Sequence, residues 1–297
     1  MSSLTLHEAE PAAGTARRPA RRRGTALVPT VTLLLGALYC LLPVAWVVIA
    51  STKSGSELFS TFTFWPGTGF TENVSDLGTY RDGVYWQWMG NSALYAGLGA
   101  LLSACVSAVS GYALAIHRFR GRETLFNVLL AGVLMPPVIL AVPQYLLLAK
   151  ADLTDSYLSV LLPQILSPYG VYLARIYAAA AVPADVVEAG RMDGAGEWRI
   201  FTRVALPMMV PGLVTVFLFQ FVAIWNNFLL PYIMLSDDEK FPITLGLYTL
   251  LEQGASTPAL YTLVITGAFL AVFPLVALFL VIQRFWSLDL LSGAVKS

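Results

Sequence analysis

Between residues 183 and 212 the chain reads PADVVEAGRMDGAGEWRIFTRVALPMMVPG, a charged, helix-forming island between long apolar runs. Asp185, Glu188, Asp193, Glu197 and Arg199 carry charges that are expensive in hydrocarbon, so the segment must face water. An amphipathic loop of this size offers a binding face rather than a reactive centre. Asp185 is placed to cap a short helix, with Glu188 three residues later at capping-box spacing. Gly194 is placed to end that helix in a left-handed turn. A second short helix is expected over 197–204, before Leu206 and Pro207 begin the next apolar run. A plain solvated surface loop is the competing reading.

Reactive constellations are scarce. The two histidines, His7 and His117, stand alone; there is no HExxH metal pattern and no G-x-x-x-x-G-K-[ST] phosphate loop. An intramembrane enzyme would need a nucleophile and base, or metal ligands, at membrane depth. A passive channel would need a filter sequence or a charged ring, and neither is visible. Polar side chains do occur inside apolar runs: Gln144, Tyr145, Gln164, Tyr169, Gln220, Asn226 and Asn227. Gln220 and Asn227 lie seven apart, about two turns, so one helix would carry both on a shared face. Intramembrane amides either line a pathway or bond neighbouring helices, and both readings stay open.

Long apolar elements must position these groups. Of 297 residues 57% are hydrophobic and only 12% charged, against about 25% charged in ordinary soluble domains. Six runs approach or exceed the roughly 20 residues that span a bilayer: 26–50, 93–116, 125–149, 157–181, 206–235 and 260–282. Each is too long for a barrel strand and lacks strict alternation, so the expected fold class is an all-α membrane protein with six transmembrane helices. The first run has no small-residue cleavage site after it and reads as a retained span. In span two Gly99, Ser103, Ser107 and Gly111 recur every four residues, a small-residue stripe for close helix contact. Prolines within or beside the spans (Pro43, Pro136, Pro137, Pro143, Pro163, Pro168, Pro231, Pro274) are expected to kink them.

The remaining organisation follows from charge. Residues 1–24 read as a disordered tail, 25–50 as the first span, 51–87 as an ordered external segment, 88–283 as the core and 284–297 as a second tail. With both tails cytoplasmic, fourteen of the eighteen Lys and Arg residues fall inside, as the positive-inside rule requires. The basic cluster at 17–23 is then a topology anchor rather than a nucleic-acid patch. Trp65, Trp86 and Trp88 suit the membrane interface. Cys40 and Cys105 are expected to be small packing residues. The triplet Asn73-Val74-Ser75 is assigned no role.

The spacing in the charged island closely resembles the EAA motif of bacterial ABC-importer permeases. Glu188-Ala189-Gly190, Asp193-Gly194-Ala195, Phe201, Leu206-Pro207 and Pro211 carry the likeness, with Gly190 where the family usually has Ala. Trp225-Asn226-Asn227-Phe228 with Pro231, Thr244-Leu245 and Gly293-Ala294-Val295-Lys296 resemble the carbohydrate-uptake branch, those like the smaller maltose permease subunit. The resemblance covers roughly 26–297. It implies a type I ABC-importer permease fold, and a coupling helix pair docked on a cytoplasmic ATPase through Glu188, Ala189, Gly190, Asp193, Gly194, Ala195, Phe201, Leu206 and Pro207. The intramembrane polar residues Gln220, Asn226, Asn227, Gln144 and Tyr169 are the candidate solute path. Expected partners are ABC ATPase subunits, a second homologous permease, an extracytoplasmic solute-binding protein and the bilayer, with no nucleic acid. No cofactor is expected on this chain; ATP with Mg is used by the partner ATPase. The expected solute is a sugar or oligosaccharide, the alternatives being a polyol, glycerol phosphate, or a channel or receptor role.

Overall fold

A computed structural model describes the backbone of residues 27–294 and the side chains of residues 28–283. The expected tail over 1–24, its basic cluster, and the side chains of the 284–297 tail lie outside the described residues. The described residues are helical and contain no strand. The chain divides into two compact units between Ala45 and Trp46, inside the first helix. In the first unit, α1 (Leu27–Ala50) carries apolar side chains exposed all round it, such as Val28, Leu33, Leu38 and Tyr39.

The second unit is built on α4 (Val84–Ile116), against which α8 (Pro168–Ala181) and α11 (Leu206–Trp225) pack. The small-residue stripe makes this possible. Ser103 and Ser107 are fully buried, and a Cβ added to Gly111 would lie 2.6 Å from the Cβ of Ala174 on α8. Backbones that approach this closely gain packing that lipid cannot supply. The N-terminal half of α4 instead grips a distant turn. Trp88 Nε1 donates to Asp238 O (2.8 Å), Asn91 Nδ2 to Glu239 O (2.7 Å) and Tyr95 OH to Lys240 O (3.0 Å).

Before α4, the segment expected to be ordered contains α2 (Gly55–Ser60) and α3 (Phe70–Thr79). A capping box at Ser54 and Glu57 starts α2. Asn73 is buried and donates to Ser51 O and Lys53 O, so the triplet beginning there is a packing feature.

Among the described residues four helices are long and apolar enough to cross a membrane, or up to six if each bent pair counts as one span, so six is the upper count. Several finer expectations need correction. The third expected run bends by 105° between α5 (Arg122–Leu134) and α6 (Pro137–Lys150), at Pro136 and Pro137. A residue before proline disfavours the α region, and Met135 and Pro136 are both extended here. The fourth run is interrupted at Leu166 and Ser167 between α7 (Tyr157–Ile165) and α8, where Pro168 occupies the first helical position, and its 75° bend comes after Ala181, before the helix at Ala184–Met192. The fifth run also breaks, because α11 stops at Trp225 and α12 (Leu229–Met234) follows. Trp88 is buried with its indole bonded, whereas Trp65 and Trp86 are exposed. Cys40 and Cys105 are free and exposed on their helices rather than packed inside.

Candidate functional site

The charged island folds as a helix, a turn and a second helix. The first, α9 (Ala184–Met192), has Pro183 as its N-cap residue, and no side chain caps it. Asp185 therefore lies in the first turn, where its carboxylate faces the positive end of the helix dipole, and the expected capping box is absent. Pro183 takes the cap position because its ring lacks the N–H that a helix interior needs.

Gly194 ends the helix as expected, with φ +76°. Only glycine adopts that conformation without strain. Across this turn Arg191 meets Glu197 in a two-point ion pair, Nε to Oε1 at 2.7 Å and Nη2 to Oε2 at 3.3 Å. Their six-residue spacing matches no single-helix pattern, which is why sequence reasoning missed the pair.

The second helix differs from the expectation. It begins as α10 (Glu197–Ile200), widens into a π-helical turn over Phe201–Ala205 and runs on into α11 without a stop. Pro207 and Pro211 supply the reason: a proline ring crowds the carbonyl four residues back, and a widened turn relieves it. Leu206 N–H accordingly bonds to Phe201 O, five residues back.

These elements sort the motif residues onto two faces. Val187, Ile200, Phe201, Ala205 and Met209 point inward with Tyr112, Ala178 and Val182 in one apolar cluster. The ring of Phe201 lies 5.1 Å from that of Tyr112. Glu188, Ala189, Asp193 and Gly194 are exposed, Gly190 and Ala195 half-buried, Leu206 half-buried and Pro207 exposed. A Cβ at Gly190 would lie 3.2 Å from Ile200 Cγ1, so the small residue lets α9 settle on α10. Beside the acids stand two large apolar side chains with no cover, Met192 at 83% and Trp198 at 67% exposed. Bare apolar side chains beside acidic ones are the kind of surface on which a partner can be held.

A second site forms where the broken runs meet. Gln144 of α6, Tyr169 of α8, Gln164 of α7 and Asn227 line a cavity of about 320 Å³. An adjoining cavity shares Gln164, Ser167 and Asn227 and adds Gln220 and Asn226. All five path residues thus border one cleft, whereas Tyr145 does not line it. The volume falls within the range of small-molecule pockets.

The shared-face argument for Gln220 and Asn227 fails, because α11 ends between them. Gln220 is buried and its Nε2 donates to Ser167 Oγ at 2.5 Å, so it ties α11 to α8. Asn227 Oδ1 accepts from Leu230 N, starting α12, and Asn227 O accepts from Thr244 Oγ1. Asn226 is exposed, its Nδ2 bonded to Val222 O. Ser167 was missed by sequence reasoning, although Ser-Pro at a helix start is a capping signal. Its Oγ also accepts from Gly170 N at 3.0 Å.

Comparison with known proteins agrees with this architecture. Residues 105–287 match the family described as binding-protein-dependent transport system inner membrane component. The chain is 33% identical over 270 residues to the arabinooligosaccharides transport system permease protein AraQ of Halalkalibacterium halodurans, covering 90% of this chain and 95% of that one. It is 31% identical over 279 residues to the lactose transport system permease protein LacG of Rhizobium radiobacter (93% and 98%). The sn-glycerol-3-phosphate transport system permease protein UgpE of Salmonella typhimurium is 28% identical over 268 residues (89% and 95%). The fold is similar to a chain in the crystal structure of a bacterial ABC transporter involved in the import of the acidic polysaccharide alginate, with TM-score 0.76, 22% identity, and coverage of 91% and 99%. Members are membrane-embedded transport subunits rather than enzymes; ATP hydrolysis resides in a separate chain, and a solute-binding protein works with them. On its sequence match and its fold, this chain belongs to the binding-protein-dependent transport system inner membrane component family and is the permease subunit of an ABC importer.

Proposed function

We propose that this permease imports a sugar or oligosaccharide, paired with a second, related permease. The observation that carries the solute class is the cleft lined by Gln144, Gln164, Tyr169, Asn226 and Asn227. Amides donate and accept hydrogen bonds to hydroxyls, and an aromatic ring offers an apolar face. Among its lining residues there is no Lys, Arg or His. A phosphate-bearing solute would call for such a cation, so the cleft favours a neutral, hydroxyl-rich cargo over glycerol phosphate. The arabinooligosaccharide and lactose relatives support the same class.

The α9–α10 pair is the proposed coupling element, docking on a cytoplasmic ATPase that uses ATP and Mg. Glu188, Asp193, Met192 and Trp198 form its outer face. From Glu197 to Trp225 one continuous helical rod joins that face to the cleft, about 40 Å at 1.5 Å per residue. Movement imposed at α10 is therefore delivered to Asn226 and Asn227. Both termini are cytoplasmic in this scheme, as the Lys and Arg distribution favours. A strain lacking the chain, tested for growth and labelled uptake on a panel of oligosaccharides, should lose at least one of them and regain it on complementation. Unchanged uptake of every sugar, with loss of a charged solute, would reject the solute class.

A further inference from the structure

Among the described residues one buried cation makes no ion pair. Lys53 is 2% exposed, three residues beyond the end of α1. Its Nζ donates to Thr61 Oγ1 at 3.0 Å and to Phe62 O at 2.7 Å, both neutral acceptors. Among the described residues no carboxylate pairs with it. Glu57 lies near enough to feel its charge, but its Oε2 accepts from Ser54 N (2.9 Å) and Ser54 Oγ (3.0 Å) rather than from Lys53. An ammonium has three donors, so one remains. Burying an ammonium with a donor unused and no carboxylate in direct contact is costly, and proteins ordinarily complete such a group.

Lys53 borders a cavity of about 340 Å³. Its other walls are Trp46, Leu58, Phe59, Thr63, Tyr261 and Ile265 among others. The position is defined by the two spans that meet it. The apolar run Val28–Ala50 ends just before Lys53, and the apolar run Ala259–Gln283 begins just before Tyr261. The cavity therefore lies where hydrocarbon gives way to headgroups, the depth at which aromatic rings and lysines gather. Phe59 and Tyr261 meet edge to face at 5.9 Å, giving the apolar side of the cavity a fixed wall.

We infer that this cavity binds the phosphate headgroup of an anionic phospholipid, with Lys53 as the counter-ion and the aromatic wall against the glycerol and upper acyl chain. The occupant is a lipid because the site lies beside the ends of two apolar runs and sets one cation against a mostly apolar lining. The lipid would tie the end of α1 to the start of α14 (Ala259–Leu270).

The test uses the assembled transporter, delipidated and then returned to vesicles of phosphatidylglycerol or of phosphatidylcholine. Phosphatidylglycerol should raise the unfolding temperature more than phosphatidylcholine, and native mass spectrometry should find it retained. Lys53→Gln should weaken retention roughly fivefold, the scale of one lysine's attraction for an anionic headgroup, and Lys53→Arg should restore it. Thr63→Glu leaves the Lys53 partners in place and sets a competing negative charge at the rim, so it should also displace the lipid. That variant serves if Lys53→Gln fails to fold. Equal stabilisation by both lipids overturns the proposal, as does retention unchanged in Thr63→Glu. Stabilisation by inorganic phosphate equal to that by phosphatidylglycerol also overturns it and identifies a free-anion site instead.

Discussion

Arg191 and Glu197 clasp each other across the Gly194 turn, with two hydrogen bonds at 2.7 and 3.3 Å. The pair braces the turn between α9 and α10, and so the shape of the proposed docking face. His117 Nε2 stands 3.8 Å from Glu197 and joins the end of α4 to the same cluster. Exposed pairs contribute little to global stability. Glu197→Gln should therefore leave expression and unfolding temperature nearly unchanged while lowering solute-stimulated ATP hydrolysis several-fold. Exchanging the two charges, Arg191→Glu with Glu197→Arg, should recover part of the loss. A large fall in unfolding temperature in the single variant would show a structural role instead.

The proposed coupling role is tested at Glu188 and Gly194. Gly194 holds φ +76° and its N–H bonds to Arg191 O at 3.0 Å. Proline at 194 forbids that angle and removes the donor; alanine costs about 1–2 kcal/mol locally. Gly194→Pro and Glu188→Lys should abolish solute-stimulated ATPase activity with the protein still in the membrane, and Gly194→Ala should be intermediate. Normal uptake in both severe variants would remove the docking role from this loop.

The two amides at the cleft should separate in their effects. Gln220 spends its Nε2 on Ser167, so Gln220→Ala should lower stability and assembly without changing solute preference. Asn227 engages the chain through Oδ1 and its backbone oxygen. Its Nδ2 is the group left for a solute hydroxyl, a bond contributing about 1 kcal/mol. Asn227→Ala should raise the half-saturating solute concentration roughly fivefold, with ATPase coupling intact. Parallel measurement of expression, uptake and sugar preference distinguishes the two.

Acid should loosen one turn before the others. Asp155 Oδ1 accepts from Ser236 N and Asp237 N, and these bonds first, with Lys240 adding to them, hold its carboxyl below the usual range. Asp237 is lowered chiefly by its bond to Lys240, and Lys240 raised by the same bond. A carboxyl depressed in the folded state stabilises it above the ordinary carboxylate value, near 3.9, and loses that contribution as pH falls through the lowered one. Amide exchange in 235–240 should therefore accelerate below about pH 4, and Asp155→Asn should flatten that dependence. Exchange independent of pH in the wild type, after correction for intrinsic rates, contradicts the assignment.

Sidedness can be read by labelling. With Cys40 and Cys105 replaced by Ala, single cysteines at Ser56 and Ser256, both exposed, should react from outside intact cells. Cysteines at Ser2 and Ser292 should react only after permeabilisation. Outside labelling at 292 would reverse the scheme.

Much was legible in the residues alone, and for a physical reason: the bilayer and the backbone impose local rules. Long apolar runs had to be helices, the charged island had to leave them, Gly194 had to turn, and the stripe from Gly99 to Gly111 had to meet another helix. Spacing within 188–207 was enough to suggest the family. Tertiary structure decided what depends on partners far along the chain. Trp88 reads as an interface residue until the 238–241 turn offers its carbonyl. Gln220 and Asn227 read as one face until the helix stops between them. Where a proline-bearing helix bends, and toward what, is set by the neighbours that re-satisfy its freed carbonyls. Only those bends bring Gln144, Gln164, Tyr169 and Asn227 to one cleft, and only the packed loop around Lys53 buries an ammonium against neutral acceptors.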